Sequence, residues 1–127
     1  MTRRLLMAAV TAALAAMACG GSSGTSASPT PAPTAQAVTF SETEFKIDPS
    51  TTTFKAGDYN LTAQNQGKFP HDLHVGTPDG SELGKTDVLQ PGASGSFKVT
   101  LKSGTYTLWC AVDGHRARGM ETKITVS

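Results

Sequence analysis

The chain is poor in cysteine, in aromatic residues and in excess charge of either sign. Its 127 residues include two cysteines, one tryptophan, two tyrosines and five phenylalanines, and 11 Lys/Arg stand against 10 Asp/Glu. A net charge of +1 lacks the basic stripe of a nucleic-acid binder, so nucleic acid is excluded as a partner. The longest apolar run, Leu5 to Ala18 broken only by Thr11, covers 14 residues, too few to span a bilayer as a helix. Helical periodicity is missing from the C-terminal two-thirds, which argues against a bundle. The two cysteines, Cys19 and Cys110, lie in regions of quite different composition. If Cys19 has another role, no disulfide can form within the chain, and a small exported domain needs some other brace.

What is present falls into three parts. Arg3 and Arg4 before the apolar run give the basic and apolar regions of an export signal over residues 1–18. Small residues lead into Cys19 and are followed by Gly20 and Gly21, so Leu14-Ala-Ala-Met-Ala-Cys19 resembles a bacterial lipoprotein processing site, with Ala16 where leucine is commoner. The alternative is an ordinary small-residue cleavage site. Thr2-Arg3-Arg4-Leu5-Leu6 also resembles a twin-arginine signal. Residues 19–37 would then be the lipidated Cys19 and a Gly/Ser/Pro/Thr/Ala linker without charge or large apolar groups, unable to bury enough surface to order itself. That leaves 38–127, with nine Lys/Arg and ten Asp/Glu, as one nearly neutral domain.

In this domain apolar and polar residues alternate in short runs between turn residues, which predicts an all-β Greek-key sandwich. The expected strands are Val38–Ile47, Thr51–Lys55, Tyr59–Ala63, His71–Val75, Ser96–Leu101, Thr105–Cys110 and Thr122–Val126, with turns at Asp48-Pro49, Ala56-Gly57-Asp58, Gln66-Gly67, Pro78-Asp79-Gly80, Pro91-Gly92 and Ser103-Gly104. Alternation sends Tyr106, Leu108 and Cys110 inward and Trp109 outward. The same phase puts His71, Leu73 and Val75 inside and leaves His74 as a solvated strand histidine. Tyr106 is expected to anchor a corner through its hydroxyl.

The chemistry concentrates in Cys110-Ala-Val-Asp-Gly-His115-Arg-Ala-Arg-Gly-Met120. A thiolate, an imidazole and a thioether on one loop, joined by an imidazole from another strand, form the donor set of a blue-copper centre. Gly114 and Gly119 give the loop the turns it needs to wrap an ion. Read singly, Cys110 is a buried thiol, Met120 is core packing, and Arg116 and Arg118 are solvated charges.

These residues resemble the cupredoxin family, in particular small blue copper proteins of the plastocyanin, auracyanin and rusticyanin kind. Gly104-Thr-Tyr106-Thr-Leu-Trp-Cys110 is similar to the family's Gly-x-Tyr-x-x-x-Cys strand, and Asn65-Gln-Gly67-Lys-Phe-Pro-His71-Asp72 to its Asn-x-Gly-x-x-Pro-His segment. The resemblance implies one type 1 copper, Cu(I)/Cu(II), with His71, Cys110 and His115 equatorial and Met120 axial. It implies that the Pro70 carbonyl approaches the opposite axial side and that Asp72 ties the His71 strand to the ligand loop. Relatives often carry a hydroxyl after the cysteine; Ala111 has none, so Asp72 reaches only backbone. Asp113 stands where relatives often have proline.

The reading is a lipid-anchored, extracytoplasmic one-electron carrier on a bacterial membrane, a monomer serving redox protein partners. It is no enzyme, since four protein ligands close the site to a reactant. Trp109, Arg116 and Arg118 are candidates for electron exit or partner docking. The alternatives are a chaperone or storage module that hands over Cu(I), and a copper-free interaction domain.

Overall fold

The computed structural model describes residue 24 and residues 27–127; the export-signal reading, Cys19 and the first part of the linker lie outside the described residues. Eight strands follow in chain order: β1 Gln36–Thr43, β2 Lys46–Pro49, β3 Gly57–Asn65, β4 His74–Gly76, β5 Glu82–Lys85, β6 Ser94–Leu101, β7 Gly104–Trp109 and β8 Glu121–Val126. The only helical element among the described residues is a 3-10 turn, Arg116–Arg118. None of their helices is long and apolar enough to cross a membrane.

Alternation builds the two layers. In β1 the buried positions are Val38, Phe40 and Glu42, and in β3 they are Tyr59, Leu61, Ala63 and Asn65. Tyr106 and Leu108 of β7 and Ile124 and Val126 of β8 do the same for the second layer. One sheet has the order β2-β1-β3-β6 and the other β5-β4-β7-β8. The chain leaves β3 for the β4–β5 hairpin, returns to place β6 beside β3, and crosses again to place β7 beside β4. This is the expected Greek-key sandwich. Between the sheets lies one continuous apolar core that includes Cys110 and Met120. Tyr106 closes a corner as expected: its hydroxyl donates to the Lys102 carbonyl at 3.0 Å and accepts from the Lys102 amide at 2.9 Å.

Several boundaries differ from the sequence reading. The single strand expected over Val38–Ile47 is a hairpin, with Glu42 opposite Ile47. Its two-residue turn, Glu44-Phe45, has no glycine, proline or asparagine to announce it, and Phe45 adopts φ 63°. Asp48-Pro49, expected as a turn, ends β2 at a sheet edge, where a missing amide is harmless. Thr51–Lys55 forms no strand, only a bridge between Phe54 and Val126. The edge strand β5 was not expected: four largely exposed residues give no readable alternation. β1 starts at Gln36, two residues before the domain start read from composition.

Candidate metal centre

The candidate ligands gather at one end of the sandwich because two strand ends and two connections meet there. Cys110 directly follows β7, whose inward phase it continues, and Met120 directly precedes β8; both are fully buried. The Cys110 amide donates to the Met120 carbonyl at 3.1 Å, closing the loop at its base. Inside it, the Met120 amide donates to the His115 carbonyl at 3.1 Å and the His115 amide to the Val112 carbonyl at 2.9 Å. Gly114 at φ 68° and Gly119 at φ 101° make the left-handed turns that side chains resist.

His71 arrives from the β3–β4 connection. Asn65, buried at the end of β3, holds that connection: its Oδ1 accepts from the Gly67 amide at 2.9 Å, and its Nδ2 donates to the carbonyls of Phe69 and Leu89, each at 2.8 Å. The His71 and Leu89 backbones exchange hydrogen bonds of 3.0 and 2.7 Å. Pro70 precedes His71 and is half-buried.

His71, Cys110 and His115 present their donor atoms to one another. Nδ1 of His71 lies 3.2 Å from Nδ1 of His115, and Cys110 Sγ lies 3.9 and 3.6 Å from the two nitrogens. The sulfur contacts are weak hydrogen bonds at best, and two imidazole Nδ1 atoms facing each other cannot satisfy one another unless one carries a proton. The point equidistant from all three lies about 2.1 Å from each, within the range of roughly 2.0–2.3 Å for imidazole and thiolate bonds to a small divalent metal. The residues therefore fit a trigonal metal. Burial, and then the neighbouring His115, hold the His71 imidazole below the usual histidine range, which leaves its lone pair free for an ion. Burial pushes the Cys110 thiol up to about 11, so without metal the sulfur keeps its proton.

A family model described as a cupredoxin-like domain matches residues 6–126. The chain belongs to the cupredoxin-like family. No curated protein matches its sequence. Among solved structures it is similar to the dithionite-reduced auracyanin of Roseiflexus castenholzii, with 18% identity over 73% of this chain and 98% of that one, at a TM-score of 0.61. It is also similar to auracyanin A of Chloroflexus aurantiacus, a protein described as a blue copper protein (16% identity, 72% and 99% coverage, TM-score 0.58). Reduced rusticyanin matches at 20% identity over 74% and 81%, with a TM-score of 0.56. At these identities the likeness is one of fold.

Around the donor set, this cupredoxin carries a polar ring that its sequence revealed only in part. Asp72 Oδ1 accepts from the Ala111 amide at 2.6 Å, the backbone tie expected where residue 111 lacks a hydroxyl. His74, expected to be solvated, is buried at 7% exposure. The reason is tertiary: Trp109 pairs with it across β4–β7 and stacks on it at 5.3 Å and 23°. Its nitrogens meet Glu82 Oε2 at 2.6 Å and Asp72 Oδ2 at 3.2 Å. Trp109 itself is half-buried and overlain by the Arg116 guanidinium at 4.6 Å, and Arg116 Nε donates to Glu121 at 2.5 Å.

Phe45 sits edge-on to His115 at 5.3 Å, and the Arg118 guanidinium lies over Phe45 at 5.0 Å. Glu44 accepts from the Lys68 amide and, at 3.1 Å, from the Phe69 amide, binding the β1–β2 turn to the His71 connection. Its carboxylate lies 3.7 Å from His71 Nε2. Sequence reasoning missed Glu42, Glu44 and the buried role of His74. For Asn65, the Asn-x-Gly spacing was the available signal.

Proposed function

We propose that this protein is a one-electron carrier whose copper is held by His71, Cys110, His115 and Met120. The convergence of two Nδ1 atoms and one Sγ on a single metal-sized point carries the reading. Bound there, copper would supply a Cu(I)/Cu(II) couple whose potential would respond to the Met120 thioether and to the surroundings of the Cys110 sulfur.

The chain's own contribution is to place and shield the donors. Cys110, Met120 and His71 are fully buried, so water has no path along them. The hydrogen bonds across the loop and through Asn65 hold the donors between two sheets, which supports similar geometry in both oxidation states. Four protein donors would leave no position for a reactant.

His115 is the ligand that comes nearest the surface, at 9% exposure. Its rim of Phe45 and Arg118 is the place for a redox protein to approach. Trp109 and Arg116 are engaged with His74 and Glu121, which supports a bracing part for them more than electron exit. The leader over 1–18 and Cys19 support export and lipid anchoring on the extracytoplasmic side of a bacterial membrane, with the linker holding a monomeric domain clear of the lipid.

Adding Cu(II) to the purified protein is the direct test. An intense blue thiolate-to-copper band that bleaches with ascorbate and returns on reoxidation is the expected result. A colourless Cu(I)-only complex would instead identify a delivery or storage protein. Cys110→Ser should abolish the colour.

A further inference from the structure

We propose that His74 is a positioning residue for the ligand loop, acting on the Cys110 end of it through Asp72. The loop starts with Ala111, whose side chain can hold nothing, and its amide is anchored only by Asp72 Oδ1 at 2.6 Å. A carboxylate tied by one oxygen can still rotate. Here the second oxygen faces His74 Nε2 at 3.2 Å, and the ring's other nitrogen faces Glu82 Oε2 at 2.6 Å.

The imidazole is thus fixed at both ends in its own plane and stacked on Trp109 at 5.3 Å. His74 and Asp72 side chains are each 9% exposed, so the contacts are sheltered from competing water. A histidine that only filled space would have no need of a carboxylate at each nitrogen. The chain Glu82–His74–Asp72–Ala111 runs from edge strand β5 through β4 to the residue beside the thiol. Trp109, Arg116 and Glu121 complete the brace on the far side of the loop, Glu121 being the neighbour of Met120. The brace works on backbone, in place of a hydroxyl at position 111.

The geometry stands without metal, while its consequence rests on the copper reading, and the experiment separates the two. Hydrogen exchange at the Ala111 amide is measured by NMR in copper-free protein, and the charge-transfer band and reduction potential are measured after copper loading. His74→Leu is expected to speed Ala111 exchange by about tenfold or more, as freeing the charged acceptor Asp72 to rotate should weaken its hydrogen bond, with smaller changes in β3. His74→Gln, which keeps an N–H toward Asp72, should recover most of the protection. In loaded protein His74→Leu should shift both the band and the potential.

A folded His74→Leu protein with wild-type exchange at Ala111 overturns the proposal, even if its melting temperature falls. Should that variant not fold, Glu82→Ala decides, because the Glu82 side chain is 41% exposed and its loss spares the core. A several-fold faster Ala111 exchange in Glu82→Ala supports the brace, and unchanged exchange overturns it. Absence of a blue band in the wild-type protein would overturn the electron-carrier reading alone and leave the amide comparison standing.

Discussion

Glu42 occupies a position where the alternation of β1 calls for an apolar residue. It is fully buried and neither carboxylate oxygen has a hydrogen-bond partner. Burial, and then the nearby Asp72, raise its pKa from 4.5 to about 7. The folded chain therefore holds this proton more tightly than the unfolded chain does. The resulting stability is complete below about 4.5 and is lost as the pH rises to about 7. Relative to wild type, Glu42→Gln should gain on the order of 3 kcal/mol across that window, as measured by denaturant melts between pH 4 and 8. A difference that does not change with pH would count against the assignment. The Cys110 thiol gives a second residue-scale expectation. Pushed up to about 11, it must release its proton to bind copper, so apparent copper affinity should rise about tenfold per pH unit near neutrality. Titration in weakly buffered medium should detect one proton released per ion. Cys110, His115 and Met120 could be read from their spacing on one loop, and His71 from its inward phase and the Pro70 before it. Glu42 and His74 could not, because alternation gives a side chain's direction and not what another strand lays over it.

Among the elements, the β3–β4 connection and the β1–β2 turn illustrate how site geometry depends on close approach. Gly67 lies where a Cβ would collide with Glu44 Oε1 and come within 2.9 Å of His71 Nε2. Gly67→Ala should push the two connections apart and weaken copper binding by about tenfold or more, a cost typical of changes just behind a metal ligand. Competition against a chelator of known affinity measures it, and an unchanged affinity would show that the connection yields freely. The Gln66-Gly67 turn was legible from its composition. The β1–β2 turn was not, since its shape comes from Phe45 packing against His115 at 5.3 Å, a contact between residues 70 positions apart. β5 was hidden for a related reason: its pairing with β4 is decided by the partner strand.

For the whole molecule the missing disulfide matters most. Cys110 is a free buried thiol, and the domain has no covalent brace among the described residues. A ligand that binds only the folded state stabilises it by mass action, about 2.7 kcal/mol at a free concentration one hundred times its Kd. For a domain of this size that is on the order of 10 °C in melting temperature. Calorimetry of copper-free and copper-loaded protein should show that gain, and Cys110→Ser should largely remove it. Equal melting in both forms would mean that the site is peripheral to stability.

The all-β architecture, the corner at Tyr106, the inward aim of Cys110 and the grouping of Cys110, His115 and Met120 were fixed locally by alternation, turn chemistry and spacing along one loop. The tertiary structure decided how His71, already set apart by its inward phase, reaches them, by locking it against Leu89, and that His74 is buried beside Trp109 rather than solvated. It also decided that Asp72 is held at both oxygens and that Glu42 lies buried between the sheets. Those outcomes depend on residues far apart in sequence meeting at one end of a sandwich, and periodicity carries no information about such meetings.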